Sequence, residues 1–418
     1  MNTAKTDVLV VGGGTGGVAA AIAAARAGAT VTVVEQEAIV GGTITGSYVT
    51  MPCGGPRNGL YEQMLERLLE HYRLPAGPRW FLPSSWLAVM NEMLIESGVR
   101  VICGVRNVAP IMEDAGGRSR VAGAVLPMRG TSEMQIRAAV TIDATGTGEF
   151  AEAAGCETRY GTDSKEDFHE PLAPEARSDF VQQCTWMYIS QKMGSSPAFD
   201  MTRLSINGTL DASLGWVHNN SQESLRRDAG IYLHWGSAVA CRDTRDSIAL
   251  AEAQEAARAA MQPDIDLLHE NGYAVHLAPR IGVRETRRVL GEHVISEHDL
   301  RSEKLPDDTI STGNYSLDLW GGGLKWGEQT RLPAFGIPYR ALVPKGVDGL
   351  LLAGKSISGT HIAMSAYRVQ PILATYSQAA GVAAAWCASN DACPRDADVS
   401  ALRAILTRSE QGVVLEVE

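Results

Sequence analysis

Apolar positions change their spacing several times along this chain. Asp7–Val11 is an almost unbroken Val/Leu run, the pattern of a strand buried on both faces. A glycine cluster follows, then the alanine-rich stretch Thr15–Ala27 with Gly28 at the position of a helix C-cap, then a second apolar run, Thr30–Val34, ending at Glu35. This predicts a strand–tight turn–helix–strand unit of βαβ size. Asn58–Tyr72 and Ser84–Ser97 have helical spacing. Leu60, Met64, Leu65 and Leu68 form one stripe, and Leu87, Met90, Met93 and Leu94 form another. Val99–Gly104 reads as a short strand, Val105–Arg137 as a β-meander turning at "AGGR", and Ala138–Ile142 as a returning buried strand.

The pattern changes after Cys156. Polar loops, the strand-like "QQCTWMYISQ", a long helix over about Arg245–His269 and a strand-bearing "PRIGVRETRRVLGEHVIS" predict a mixed α+β unit. From Ala341 the first style returns, with the buried strand "GLLLAG" and a small-residue helix over Val369–Ala388. The predicted fold class is α/β: a Rossmann-like domain of parallel sheet plus β-meander, with an inserted α+β substrate domain. The predicted boundaries are 1–157 and 341–418 for the first domain and 158–340 for the insert.

The glycines carry the first chemistry. Gly12, Gly14 and Gly17 form G-x-G-x-x-G. In such a turn the first glycine allows the bend, the second admits a pyrophosphate against bare backbone, and the third lets helix and strand touch. The helix starting at Thr15 and Gly16 aims its free N–H groups and positive dipole end at the phosphates. Glu35 lies 23 positions after Gly12, at the end of the second strand, where a carboxylate accepts ribose hydroxyls. Use of the glycines for packing alone leaves Glu35 without a reason.

Composition narrows the partners. A net charge of −11 argues against nucleic acid or an anionic membrane surface, and no apolar run is long enough to span a bilayer. The seven cysteines are odd in number and irregular in spacing, with no C-x-x-C, which suits a reducing cytoplasm and no metal site. The N-terminus has glycines where a signal peptide carries its apolar core, so it reads as the start of the fold. Composition leaves open whether the chain forms a homo-oligomer.

The βαβ unit alone does not separate NAD from FAD. Three further stretches do: "VGGTITGS" with Gly41 and Gly42, "TIDATGTGEFAEAAG" over 141–155, and "GLLLAGKSISGTHIAMSAYRVQPILATYSQAAGVAAA" over 349–385. With Ile281–Arg288 (IGVRETRR) and Ile337–Pro344 (IPYRALVP), the chain resembles the FAD-dependent oxidoreductase family, which has the glutathione-reductase-type FAD-binding fold. The resemblance covers most of the chain and is weakest over about 158–270. It implies FAD as cofactor, held by the glycine turn, Glu35, Gln36, Gly41, Gly42, Thr43, Val105, Ala144, Thr145, Gly146, Gly354, Lys355 and Arg368. Lys355 stands where related proteins carry Asp or Arg. The helix from Val369 would aim its N-terminus at the flavin pyrimidine edge, which favours the reduced ring.

Absences sharpen the reaction class. The chain has no second G-x-G-x-x-G for a nicotinamide domain, no C-x-x-C for disulfide exchange, and no W-x-W-x-x-P of the flavin halogenases. A flavin exchanging hydride with a small-molecule substrate is the expected activity, whether as dehydrogenase, oxidase or reductase. Two rivals stay open: FAD used for a non-redox step, and a redox-inactive binding protein of this fold like the GDP-dissociation inhibitors.

The expected catalytic set is His361, Tyr367, Arg368 and Arg284. His361 is read as general acid or base, against a histidine satisfied in a packed interface. Arg284 is read as an anion anchor, against structural pairing with Glu285 or Glu292. On a strand it would share a face with Arg288. Cys53 is read mainly as an inert thiol, and Trp320 and Trp326 as substrate-loop or core aromatics. His169 and His276 have no context beyond that of ordinary polar residues.

Overall fold

The computed structural model describes residues 2–73, 80–128, 133–195, 199–205, 209–211, 230–323, 327 and 330–416. The opening pattern folds as β1 (Asn2–Val11), α1 (Thr15–Arg26) and β2 (Val31–Glu35). β1 pairs in parallel with β2, and β2 with β3 (Arg100–Cys103). On its other side β1 pairs in parallel with β6 (Met134–Asp143) over nearly its whole length. The meander strands β4 (Ala109–Asp114) and β5 (Ser119–Leu126) join antiparallel to that edge. The end of the meander and the predicted Ala138–Ile142 strand are one continuous strand, because pairing with β1 continues through both.

The C-terminal return closes the layer. The short strand Leu350–Leu352 pairs in parallel with β6, and helix Gln370–Asn390 packs across α1. That helix is buried on all sides and rich in small residues, so the two helices nearly touch. A Cβ on Gly381 would lie 2.0 Å from the Ala20 carbonyl. Helix Gln370–Asn390 starts where predicted, with Val369 as its extended cap, and a separate short helix, His361–Tyr367, precedes it. The predicted stripes of α2 (Gly59–Tyr72) and α3 (Pro83–Glu96) are buried, except that Leu87 is half-exposed and Trp86 and Val89 fill its place.

The inserted sequence builds a four-stranded antiparallel sheet. Cys184–Lys192 lies between Ile231–Val239 and Tyr273–Leu277, and Thr209–Asp211 forms the far edge. Side chains alternate across it. Tyr188 and Tyr232 face helix Ser247–Glu270, while Met187, Ile189 and Leu233 face Met51 and Trp80 of the nucleotide-binding layer. Ile295, Leu300, Ile310, Phe335 and Ile337 join the core of that same layer. The segment 279–296, expected to bear a strand, has one only at Arg288–Val289, which pairs with Thr158–Arg159. It is also held by isolated bridges, such as Gly282 with Thr185, and by buried charges.

Candidate functional site

Four adjacent parallel strands end at one level. Val11 is in register with Val34 and with Asp143, and Asp143 with Leu352. The residues that follow, Gly12, Glu35, Ala144 and Ala353–Gly354, therefore emerge side by side at the carboxyl edge, where open α/β sheets bind ligands. Backbone crowding accounts for the glycines. A Cβ on Gly12 would sit 2.4 Å from the Ala144 carbonyl oxygen, and one on Gly17 would sit 1.9 Å from the Gly12 oxygen. Gly41 N donates to Gly13 O at 2.8 Å, and Gly42 lies against Gly14, so the two predicted glycine clusters meet.

Neighbouring groups hold the rim in shape. The Gly13 and Glu37 N–H groups donate to the Glu35 carboxylate at 2.5 and 2.8 Å, and Val105 N donates to Glu35 O at 3.0 Å. Gln36, next in the chain, is exposed. Asp143 accepts from Thr145 N, Thr145 Oγ1 and Ala151 N, which shapes the Ala144–Gly146 turn and leaves Gly146 open at φ +70°. Burial raises the Asp143 pKa. Gly354 N donates to Ser377 Oγ, and Tyr376 Oη donates to Gly354 O. Lys355 reaches back beneath Gly146 and donates to the Val283 carbonyl at 2.9 Å. Its pKa falls to about 8, chiefly through burial and then through Arg280.

Beside this rim stands a wall of side chains from four distant segments. Arg284 Nη1 donates to Gln183 O at 2.7 Å and Thr185 Oγ1 at 2.6 Å, and its guanidinium lies 4.1 Å over the Trp320 ring. Trp320 Nε1 donates to Asp318 Oδ2 at 3.0 Å. Arg368 Nη2 reaches the same oxygen at 3.3 Å and Gln182 Oε1 at 3.0 Å. Burial, then the like charge of Arg368, lowers the Arg284 pKa to about 9, although Asp318 pulls it the other way.

A family model described as FAD dependent oxidoreductase matches residues 7–406. The chain belongs to that family. No curated protein matches it. Similar solved structures include the myxobacterial chondrochloren halogenase CndH, at 13% identity and TM-score 0.43, covering 96% of this chain and 77% of that one. The p-nitrophenol 4-monooxygenase PnpA from Pseudomonas putida DLL-E4 matches at 11% identity and TM-score 0.43, covering 97% and 84%. A geranylgeranyl bacteriochlorophyll reductase-like protein from Thermoplasma acidophilum matches at 14% identity and TM-score 0.41, covering 93% and 80%.

The cofactor of this FAD-dependent oxidoreductase is FAD, and two orphaned polar atoms fit it. Thr15 Oγ1 is buried at the glycine turn with no partner among the described residues, and a pyrophosphate oxygen is an acceptor for it. Gln370 donates through Nε2 to Thr43 Oγ1 at 2.7 Å, and its Oε1 is buried with no partner among the described residues at the start of helix Gln370–Asn390. That oxygen suits the N3–H donor of a flavin pyrimidine ring. No helix among the described residues is long and apolar enough to cross a membrane, and no cluster there could hold a metal.

The structure distributes the four sequence-predicted catalytic residues between two places. Arg284 and Arg368 stand together in the wall. Arg284 and Arg288 do not share a strand face, because the strand there is only Arg288–Val289. Arg288 is fully buried and donates to Glu285 at 2.6 Å and Asp163 at 3.0 Å. His361 is buried in the same network, with Nδ1 2.8 Å from Glu285 Oε1 and its backbone N–H on Asp163. Burial would raise the Glu285 pKa, but His361 and Arg288 hold it below the usual range. Tyr367 is fully buried against Gly359 and Tyr376. Burial pushes the half-buried Cys53 thiol up to about 11, away from thiolate chemistry. His169 and His276 are exposed, and Trp326 lies outside the described residues.

Sequence reasoning missed Asp318, Gln182, Thr185 and Gln370. Of these only Gln370 carried a signal: it opens a helix already expected to face the cofactor. Asp318 and Gln182 come together with Arg368 across 50 and 186 positions, through side-chain bonds with no local pattern.

Proposed function

We propose that this FAD-dependent oxidoreductase transfers a hydride between a small organic substrate and the flavin in the cytoplasm. The observation that carries this reading is the closeness of cradle and wall in the chain. Gln370 holds Thr43 at the cradle while Arg368, two residues earlier, holds Asp318 in the wall. A substrate against the wall is therefore next to the end of the cradle that suits the flavin ring. When bound, FAD supplies the ring that takes or gives the hydride.

The chain's residues divide the remaining work. The glycine turn, Thr15, Glu35, Gln36, Gly41–Thr43, Val105, Ala144–Gly146 and Gly354–Lys355 hold the cofactor. Arg284 anchors the substrate. Asp318, fixed by Trp320 and Arg368, takes or returns the proton that accompanies the hydride. His361 acts through others: with Arg288 it fixes Glu285, Glu285 accepts the Gln182 N–H at 3.1 Å, and Gln182 steadies Arg368.

Purified protein tests the reading. The expected result is a yellow protein, or flavin bands gained on adding FAD, that bleaches anaerobically with one member of a metabolite panel. A protein that binds no flavin overturns it. Turnover with neither bleaching nor oxygen uptake assigns the FAD to a non-redox step.

A further inference from the structure

Arg284 feels the charge of Asp318 but forms no ion pair with a carboxylate among the described residues. Its Nη1 is spent on the Gln183 carbonyl and the Thr185 hydroxyl, and these bonds fix the plane of the guanidinium. Trp320 covers one face of that plane. The opposite edge, carrying Nε–H and the two Nη2 hydrogens, makes no hydrogen bond among the described residues, and neither atom is sealed from solvent. No carboxylate among the described residues pairs with it, whereas Arg368 nearby is paired with Asp318 and Arg288 with two acids. Of the two guanidinium groups in the wall, Arg284 is the one with no acid bonded to it among the described residues.

An Nε/Nη2 edge presents two parallel N–H donors at the spacing of two carboxylate oxygens. A part-buried charge held rigid with that fork empty suits an anion arriving from outside. We infer that the substrate of this enzyme carries a carboxylate, and that it docks in bidentate fashion on the Nε/Nη2 edge of Arg284. Trp320 is a positioning residue for this contact, because it keeps the fork in plane and also holds Asp318. The wall thus offers a cationic fork and, through one indole, a carboxylate beside it. The substrate's acid group binds the first while its reacting carbon faces the second. This inference rests on the flavoenzyme reading above and gives that site a substrate class.

Binding to the holoprotein tests it without turnover. Acetate, lactate, benzoate and phenylacetate are each titrated against the corresponding primary amide, and the shift of the flavin absorption bands is read. The expected result is that at least one acid binds about 10- to 100-fold more tightly than its amide, the range of a charge-assisted pair of hydrogen bonds. In Arg284→Gln the preference vanishes while FAD stays bound, and Arg284→Lys, with charge but no fork, recovers only part of it. Equal binding of every acid and its amide overturns the inference and leaves the flavoenzyme reading standing. An acid preference undiminished in Arg284→Gln overturns it as well. A chain that takes up no FAD overturns both. The wild-type comparison decides the matter even if a variant fails to fold.

Discussion

The cofactor cradle and the substrate wall lie side by side but are built from different materials. The cradle is made of backbone. Its glycines are required because carbonyl oxygens lie where a Cβ would be, 2.4 Å away at Gly12 and 1.9 Å at Gly17. The wall is made of side chains. Gln182, Thr185, Arg284, Asp318, Trp320 and Arg368 come from four segments and are joined by hydrogen bonds and one stacked cation. A backbone site tolerates almost no substitution at its close approaches and recognises what most cofactors of its class share. A side-chain site can be rebuilt one residue at a time, and so can its substrate.

Substitution can separate the two. Gly17→Val should abolish FAD binding, since the new side chain would drive into the Gly12 carbonyl; flavin absorbance after dialysis and circular dichroism report cofactor loss with or without unfolding. Next in size is Arg288→Met, which removes the buried cation between Glu285 and Asp163 and leaves them only His361 and Arg159. A loss of about 3–5 kcal/mol is expected in urea unfolding. If FAD affinity fell as far as stability, the division between cradle and wall would be wrong.

Acid should act on the inserted sheet. His234 is fully buried, stacked on Tyr188 and bonded to Ser190, and burial lowers its pKa from 6.5 to about 3. The unfolded chain therefore takes up this proton first. The stability tied to neutral His234 is complete above about pH 6.5 and is lost as the pH falls toward about 3. Urea midpoints measured across that range should decline less steeply in His234→Gln. The smallest effect is expected from Trp320→Leu, which removes a stacking contact of about 0.5–2 kcal/mol. It should raise KM for the substrate while the FAD dissociation constant stays the same. A change confined to FAD binding would move Trp320 out of the wall and into the cradle.

Much of the cradle was legible in the chain because its requirements are local. A glycine that must accept a carbonyl against its Cα, an apolar run long enough for one strand, and an acid at the next strand end all leave marks within about thirty residues. The same holds for the helix opening at Gln370, which Val369 and Pro371 announce. Where an element was misjudged, long-range pairing was the cause. β6 runs on through the predicted end of the meander because β1 supplies partners throughout, and within IGVRETRR pairing is limited to the Gly282–Thr185 bridge and to Arg288 with Arg159.

The nucleotide-binding layer, its phosphate turn and, through the family resemblance, FAD can be read from the residues alone. Which arginine has no acid bonded to it is settled by the fold. Arg284, Arg287 and Arg288 look alike in the chain, yet Glu152 takes Arg287, Asp163 and Glu285 take Arg288, and Arg284 alone is turned onto Trp320. Which charges find partners depends on what the fold brings within hydrogen-bond reach. Glu285 stands three positions from Arg288, but Glu152 lies 135 positions from Arg287 and Asp163 125 positions from Arg288, and that distance is why those two pairings have no signature in the sequence.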